Sequence, residues 1–92
     1  APIDQPATAS ASSATVTDTA AALVAQDAGR YVLHVRNTGG ADLYLGPAGV
    51  TPDTAPVVVE PDGEYREADA APIEWHGVTL AGQTTTAAIM EA

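Results

Sequence analysis

The sequence predicts an all-β domain: a small β-sandwich or barrel of about seven or eight short, mostly antiparallel strands, with an extended N-terminal arm. Three observations carry this. The large apolar residues fall in short clusters roughly ten residues apart, the rhythm of strands and turns. Within the clusters apolar and polar positions alternate with a period of two, not 3.6. Between them stand Gly, Pro, Asn and Asp, the residues whose backbones make turns.

The arm is the stretch APIDQPATASASSA, residues 1–14, in which Ile3 is the one large apolar side chain. Its Pro, Ala, Ser and Thr composition is that of a flexible extension. The β domain then occupies 15–92. ATVT alternates toward Asp18, whereas AALVAQ (21–26) suits a strand or a helical turn equally. Asp27-Ala28-Gly29 supplies a turn. Tyr31, Leu33 and Val35 then alternate with Arg30, Val32, His34 and Arg36, a half-buried strand. Asn37-Thr38-Gly39-Gly40, residues that tolerate positive φ, close it, and Leu43-Tyr44-Leu45 reads as its return strand. This is the strongest hairpin signal in the chain.

The proline-rich and glycine-rich segment 46–56 reads as loop, and Val57-Val58-Val59 as a short apolar strand. Pro61-Asp62-Gly63 suits a type I turn, with Glu64-Tyr65-Arg66-Glu67 leaving it. Ile73 and Trp75 share the buried face of a further strand, which Gly77 breaks or bulges before Val78-Thr79-Leu80. After the Ala81-Gly82-Gln83 turn, the β-branched run 84–91 reads as the last strand.

Size and charge narrow the function. With the arm set aside, about 78 residues remain to fold, and a core of that size supplies only about 3–5 kcal/mol without help. There is no cysteine, so disulfides and thiolate metal sites are excluded, and oligomerisation or docking on a partner is the expected support. Twelve carboxylates face three arginines and no lysine, a net charge of -9, so phosphate contacts would be few and repulsion general, which argues against a nucleic-acid partner. No apolar run is long enough to span a bilayer as a helix, so no membrane role is expected. The start, Ala1-Pro2, fits a chain whose initiator methionine is trimmed, with no basic-plus-apolar leader. The expectation is a protein made and kept, or assembled, in a cytoplasm.

Reactive groups are scarce. The folded part holds no serine, cysteine or lysine, leaving threonine as the only usual nucleophile. His34 and His76 stand opposite the apolar faces of two different strands and in no metal-ligand spacing, so solvated imidazoles are the expected reading. The acidic run 60–69 (Glu60, Asp62, Glu64, Glu67, Asp69) offers oxygens for a hard cation. Its spacing matches no EF-hand loop, however, and Arg66 competes for the carboxylates, so local ion pairs are expected instead. No catalytic, cofactor or metal residue is expected, and the chain reads as a non-enzyme. Trp75 with Tyr31, Tyr44 and Tyr65 gives an alternative, a host-glycan or receptor-binding spike, fibre or tail-associated module. Core filling accounts for the same four aromatics.

Arg30, His34 and Arg36 fall at even spacings and so share one strand face. One reading is cross-strand pairing with nearby carboxylates, worth about 0.2–1 kcal/mol per exposed pair. The other is a protein–protein contact, where arginine is enriched and lysine depleted. Under that second reading Ile3, Arg30, His34 and Arg36 are the interaction residues.

The segment RYVLHVRNTGGADLYLGPAGVTPDTAPVVVEPDGEY (30–65) resembles a pattern found in small virion proteins of tailed bacteriophages. An Arg-bearing alternating strand ending in Asn passes through a Gly/Ala turn to an apolar-Tyr-apolar-Gly strand. A loop, an apolar strand and a Pro-Asp-Gly turn followed by Glu-Tyr come next. The resemblance covers roughly residues 15–91. An Ala- and Ser-rich arm before a compact β domain is similar in design to capsid decoration, or cement, proteins. It implies a non-enzymatic structural protein made in the host cytoplasm and placed on the outer capsid surface of the virion. There it would bind the major capsid protein as a homo-oligomer, a trimer by preference, bridging and stabilising capsid subunits without a cofactor. The extended arm, with Ile3 as its anchor, would add a strand to a neighbour's sheet edge.

Overall fold

A computed structural model describes residues 10–68 and 73–91 of the chain. These form eight strands: β1 (Ser10–Val16), β2 (Ala21–Val24), β3 (Leu33–Asn37), β4 (Leu43–Gly46), β5 (Val57–Val59), β6 (Glu64–Glu67), β7 (Trp75–Val78) and β8 (Thr85–Glu91). Every pairing is antiparallel, in two four-stranded sheets of order β1-β8-β3-β6 and β2-β7-β4-β5. The expected all-β sandwich is present. Strand 1 pairs with 8, 2 with 7, 3 with 6 and 4 with 5, which is the nested pairing of an eight-stranded jelly roll.

That topology corrects the expected hairpin. Segments 33–37 and 43–46 are both strands, but β3 lies between β8 and β6 in one sheet and β4 between β7 and β5 in the other. Of the seven connections between the eight described strands, only β4 to β5 stays within a sheet. Asn37 supplies the physical reason. Its side chain is fully buried at the end of β3, and its amide nitrogen donates to Ala41 O (2.6 Å) and Val59 O (2.8 Å). Its amide oxygen accepts from Gly39 N (3.1 Å) and Thr85 Oγ1 (2.6 Å). These bonds hold the chain as it steps from one layer to the other, so the turn forms a corner between sheets. Gly39 serves space and not a positive φ: a Cβ on it would lie 2.6 Å from Thr86 N and 2.8 Å from Thr85 Cα.

The core lies between the sheets. Val16, Leu33, Val35, Ala87 and Ile89 from the first sheet meet Val24, Leu43, Leu45, Val59 and Trp75 from the second. Alternation along each strand sets this: β8 buries Thr85, Ala87 and Ile89 and turns Thr86, Ala88 and Met90 outward. Gly77 neither breaks nor bulges its strand. A Cβ there would lie 3.0 Å from Leu23 Cδ1 and 3.2 Å from Leu43 Cδ1, so glycine makes room for leucine. The irregularity sits opposite, in β2, where a register shift between Ala22 and Val24 lets Leu23 and Val24 both reach the core. Residues 10–14, expected in the arm, belong to β1 and pair with this chain's own β8.

Two further expectations change. Tyr31 is 56% exposed and Ile73 is exposed beside a buried Trp75, because neither lies within a strand, where alternation would fix its side. At the β5–β6 corner Gly63 N donates to Glu60 O (2.8 Å) and Asp62 has φ 66°, which makes this a type II turn with Pro61 at its second position, not type I. Asp62 N donates to Asn37 O and Asn37 N to Gly63 O, and this pair of bonds holds Asp62 in the left-handed region. Replacing Asp62 by valine is expected to cost about 1–2 kcal/mol, whereas glycine or asparagine should leave the urea midpoint nearly unchanged. A valine variant as stable as the parent would show that the turn relaxes to type I.

Candidate interaction surface

The three arginines separate into two environments. Arg30 precedes β3, so the even spacing that ties it to His34 and Arg36 does not apply. Its side chain is 1% exposed. Nε and Nη2 reach Glu91 Oε1 at 2.9 and 2.8 Å, Nη1 donates to Ile73 O (3.0 Å), and Nη2 donates to Ala25 O (2.6 Å). One planar guanidinium thus ties the segments before β3, after β2 and before β7 to the end of β8. Arg30 is a latch inside the fold, and the expectation that it is a surface contact residue is corrected.

His34 and Arg36 do share a face, the outer face of the β1-β8-β3-β6 sheet. Register brings two more residues to them. Met90, His34 and Arg66 form one cross-strand row, and Ala88, Arg36 and Glu64 form the next. Arg66 is therefore diagonal to Arg36, about 7–8 Å away between Cα atoms by ordinary sheet geometry. Glu64 Oε1 pairs with His34 Nε2 at 2.9 Å instead of with the arginine directly opposite it. Among the described residues no carboxylate lies within 4.0 Å of the guanidinium of Arg36 or Arg66, and both residues are exposed. Met90 beside them is 45% exposed. Toward β1 the face is made of small side chains: Ala11, Ser13 and Thr15 beside Thr86 and Ala88. The result is a surface charged on one half and lined with small side chains on the other. Arg66 was not singled out as an interaction residue from sequence, because only the β3–β6 register brings it here.

The groups that could support chemistry stay apart. His34 lies on the outer face of one sheet, and His76, bonded to Glu74 Oε1 at 2.7 Å, on a strand of the other. Among the described residues no three His, Asp or Glu side chains are grouped to hold a metal ion, and Asp69 of the acidic run lies outside them. Trp75 is 4% exposed and packs at 6.1 Å, tilted by 54°, against Tyr65, whose hydroxyl donates to Glu67. Tyr44 lies on the second sheet and Tyr31 in the segment before β3, so the four aromatics form no common platform for a sugar ring. Ile3 lies outside the described residues. Comparison with protein-family models, with curated proteins and with solved structures identifies no match.

Proposed function

We propose that this chain is a non-enzymatic structural protein of a tailed-phage virion that binds the outer surface of the capsid and stabilises it by bridging capsid subunits. The observation that carries the reading is the outer face of the β1-β8-β3-β6 sheet, arginine-bearing and lysine-free on a chain of net charge -9. Such a face suits protein contact, where arginine and methionine are enriched. The rest of the surface is anionic and would be repelled by packaged DNA, which favours the exterior of the capsid. The sequence resemblance to decoration proteins and the eight-stranded jelly-roll topology, an architecture that recurs in capsid proteins, support it by analogy. A small core gains stability by mass action when its folded state is the one bound, on a lattice or within a homo-oligomer such as a trimer.

The test is sedimentation of the full chain with heads assembled from the major capsid protein encoded in the same genome. The chain is expected to co-sediment at a fixed ratio to capsid subunits and to raise the temperature at which the heads rupture. A chain that remains in the supernatant, or heads that rupture at the same temperature with it bound, would overturn the proposal.

A further inference from the structure

We infer that the outer face of the β1-β8-β3-β6 sheet docks on an acidic protein surface, with Arg36 and Arg66 as its carboxylate-binding pair and Met90 as its apolar contact. This deepens the capsid-binding reading and rests on it, since it names the face used and the chemistry of the partner patch.

Arg30 is consumed inside the fold by Glu91 and two carbonyl oxygens, so Arg36 and Arg66 are the arginines left for the surface. Twelve carboxylates in the chain are available to pair with them. Instead both stand without a carboxylate within 4.0 Å among the described residues, on one face and on adjacent strands. Glu64, the carboxylate that shares this face, is turned to His34. The local charge is therefore positive on a molecule that is negative as a whole, and the two exposed arginines, diagonal to each other on adjacent strands, can each take a carboxylate of one partner surface. A negatively charged partner would be repelled by the rest of this protein and drawn to this face, which fixes orientation as well as binding. Met90 stands directly opposite His34 and diagonal to Arg36, and offers an adaptable apolar contact to the patch. The small side chains of β1 and β8 let a partner approach the sheet closely.

The experiment measures head binding by the full chain and three variants as a function of salt. The double reversal Arg36→Glu/Arg66→Glu should weaken binding at least about a hundredfold, and Met90→Asp about tenfold or more, while circular dichroism and the thermal midpoint stay near those of the parent. Glu64→Gln removes a competing carboxylate from the face and should tighten binding about two- to fivefold, a gain that a merely structural role for the face would not produce. Binding by the parent should weaken steeply from about 50 mM to 500 mM salt, and the double reversal should lose that dependence. A folded double reversal that binds as the parent does would overturn this face while leaving capsid binding intact. A parent chain that binds no heads would overturn both.

Discussion

Replacing Arg30 by alanine is expected to cost about 3 kcal/mol or more of folding stability, lowering the thermal midpoint by about 10–20 °C in a domain of this size. The side chain is buried, and its three nitrogens serve three separate acceptors: the Glu91 carboxylate and the carbonyls of Ala25 and Ile73. Removing it takes the guanidinium donors from all three, and the segments they belong to lose their common tie. Lysine should be nearly as poor a substitute, costing about 2 kcal/mol, because a single ammonium cannot span acceptors that the guanidinium reaches from different edges. Glu91→Gln should cost less than about 1.5 kcal/mol. Glu91 is 27% exposed at its side chain, and the amide oxygen can still accept from the guanidinium. Urea denaturation of the three variants checks the order. A lysine variant equal to the parent would mean that charge alone, and not the planar fork, holds the latch.

Asn37→Ala is expected to be the other severe change, at about 3 kcal/mol. It removes two donors and an acceptor that together satisfy Ala41 O, Val59 O, Gly39 N and Thr85 Oγ1 in a site sealed from water. Asn37→Asp separates shape from hydrogen bonding. A carboxylate in that position is desolvated and faces two carbonyl oxygens, so its folded-state pKa must rise above the unfolded value of about 3.9. A raised acid pKa means that the folded state holds the proton longer. The penalty relative to the parent is therefore smallest at and below about pH 3.9, grows as pH rises, and levels off once pH passes the folded-state pKa. A penalty that does not change with pH would show that the corner opens and hydrates the side chain.

How much of this was legible beforehand differs between strands and their partners. The alternation in Leu33-His34-Val35-Arg36 and the apolar runs at 43–45 and 57–59 locate strands because the pleat imposes a period of two wherever one face is buried. Pairing carries no such local mark. Asn37-Thr38-Gly39-Gly40 has hairpin composition, yet the same residues build a corner, since the deciding bonds come from Val59 and Thr85, at least 22 residues away. The arginines follow the same rule. Arg36 faces outward as the alternation predicts because it lies inside a strand, whereas Arg30 departs from that parity because the segment that carries it is not one. Arg66 joined the surface only through the β3–β6 register.

A cryo-EM reconstruction of the virion that carries this chain tests capsid binding through this face most directly. The domain is expected on the outer capsid surface, with Arg36, Arg66 and Met90 turned toward acidic residues of the major capsid protein and the β2-β7-β4-β5 sheet turned away. Density for the domain inside the head, or outside it with the Arg36–Arg66 face open to solvent, would contradict it.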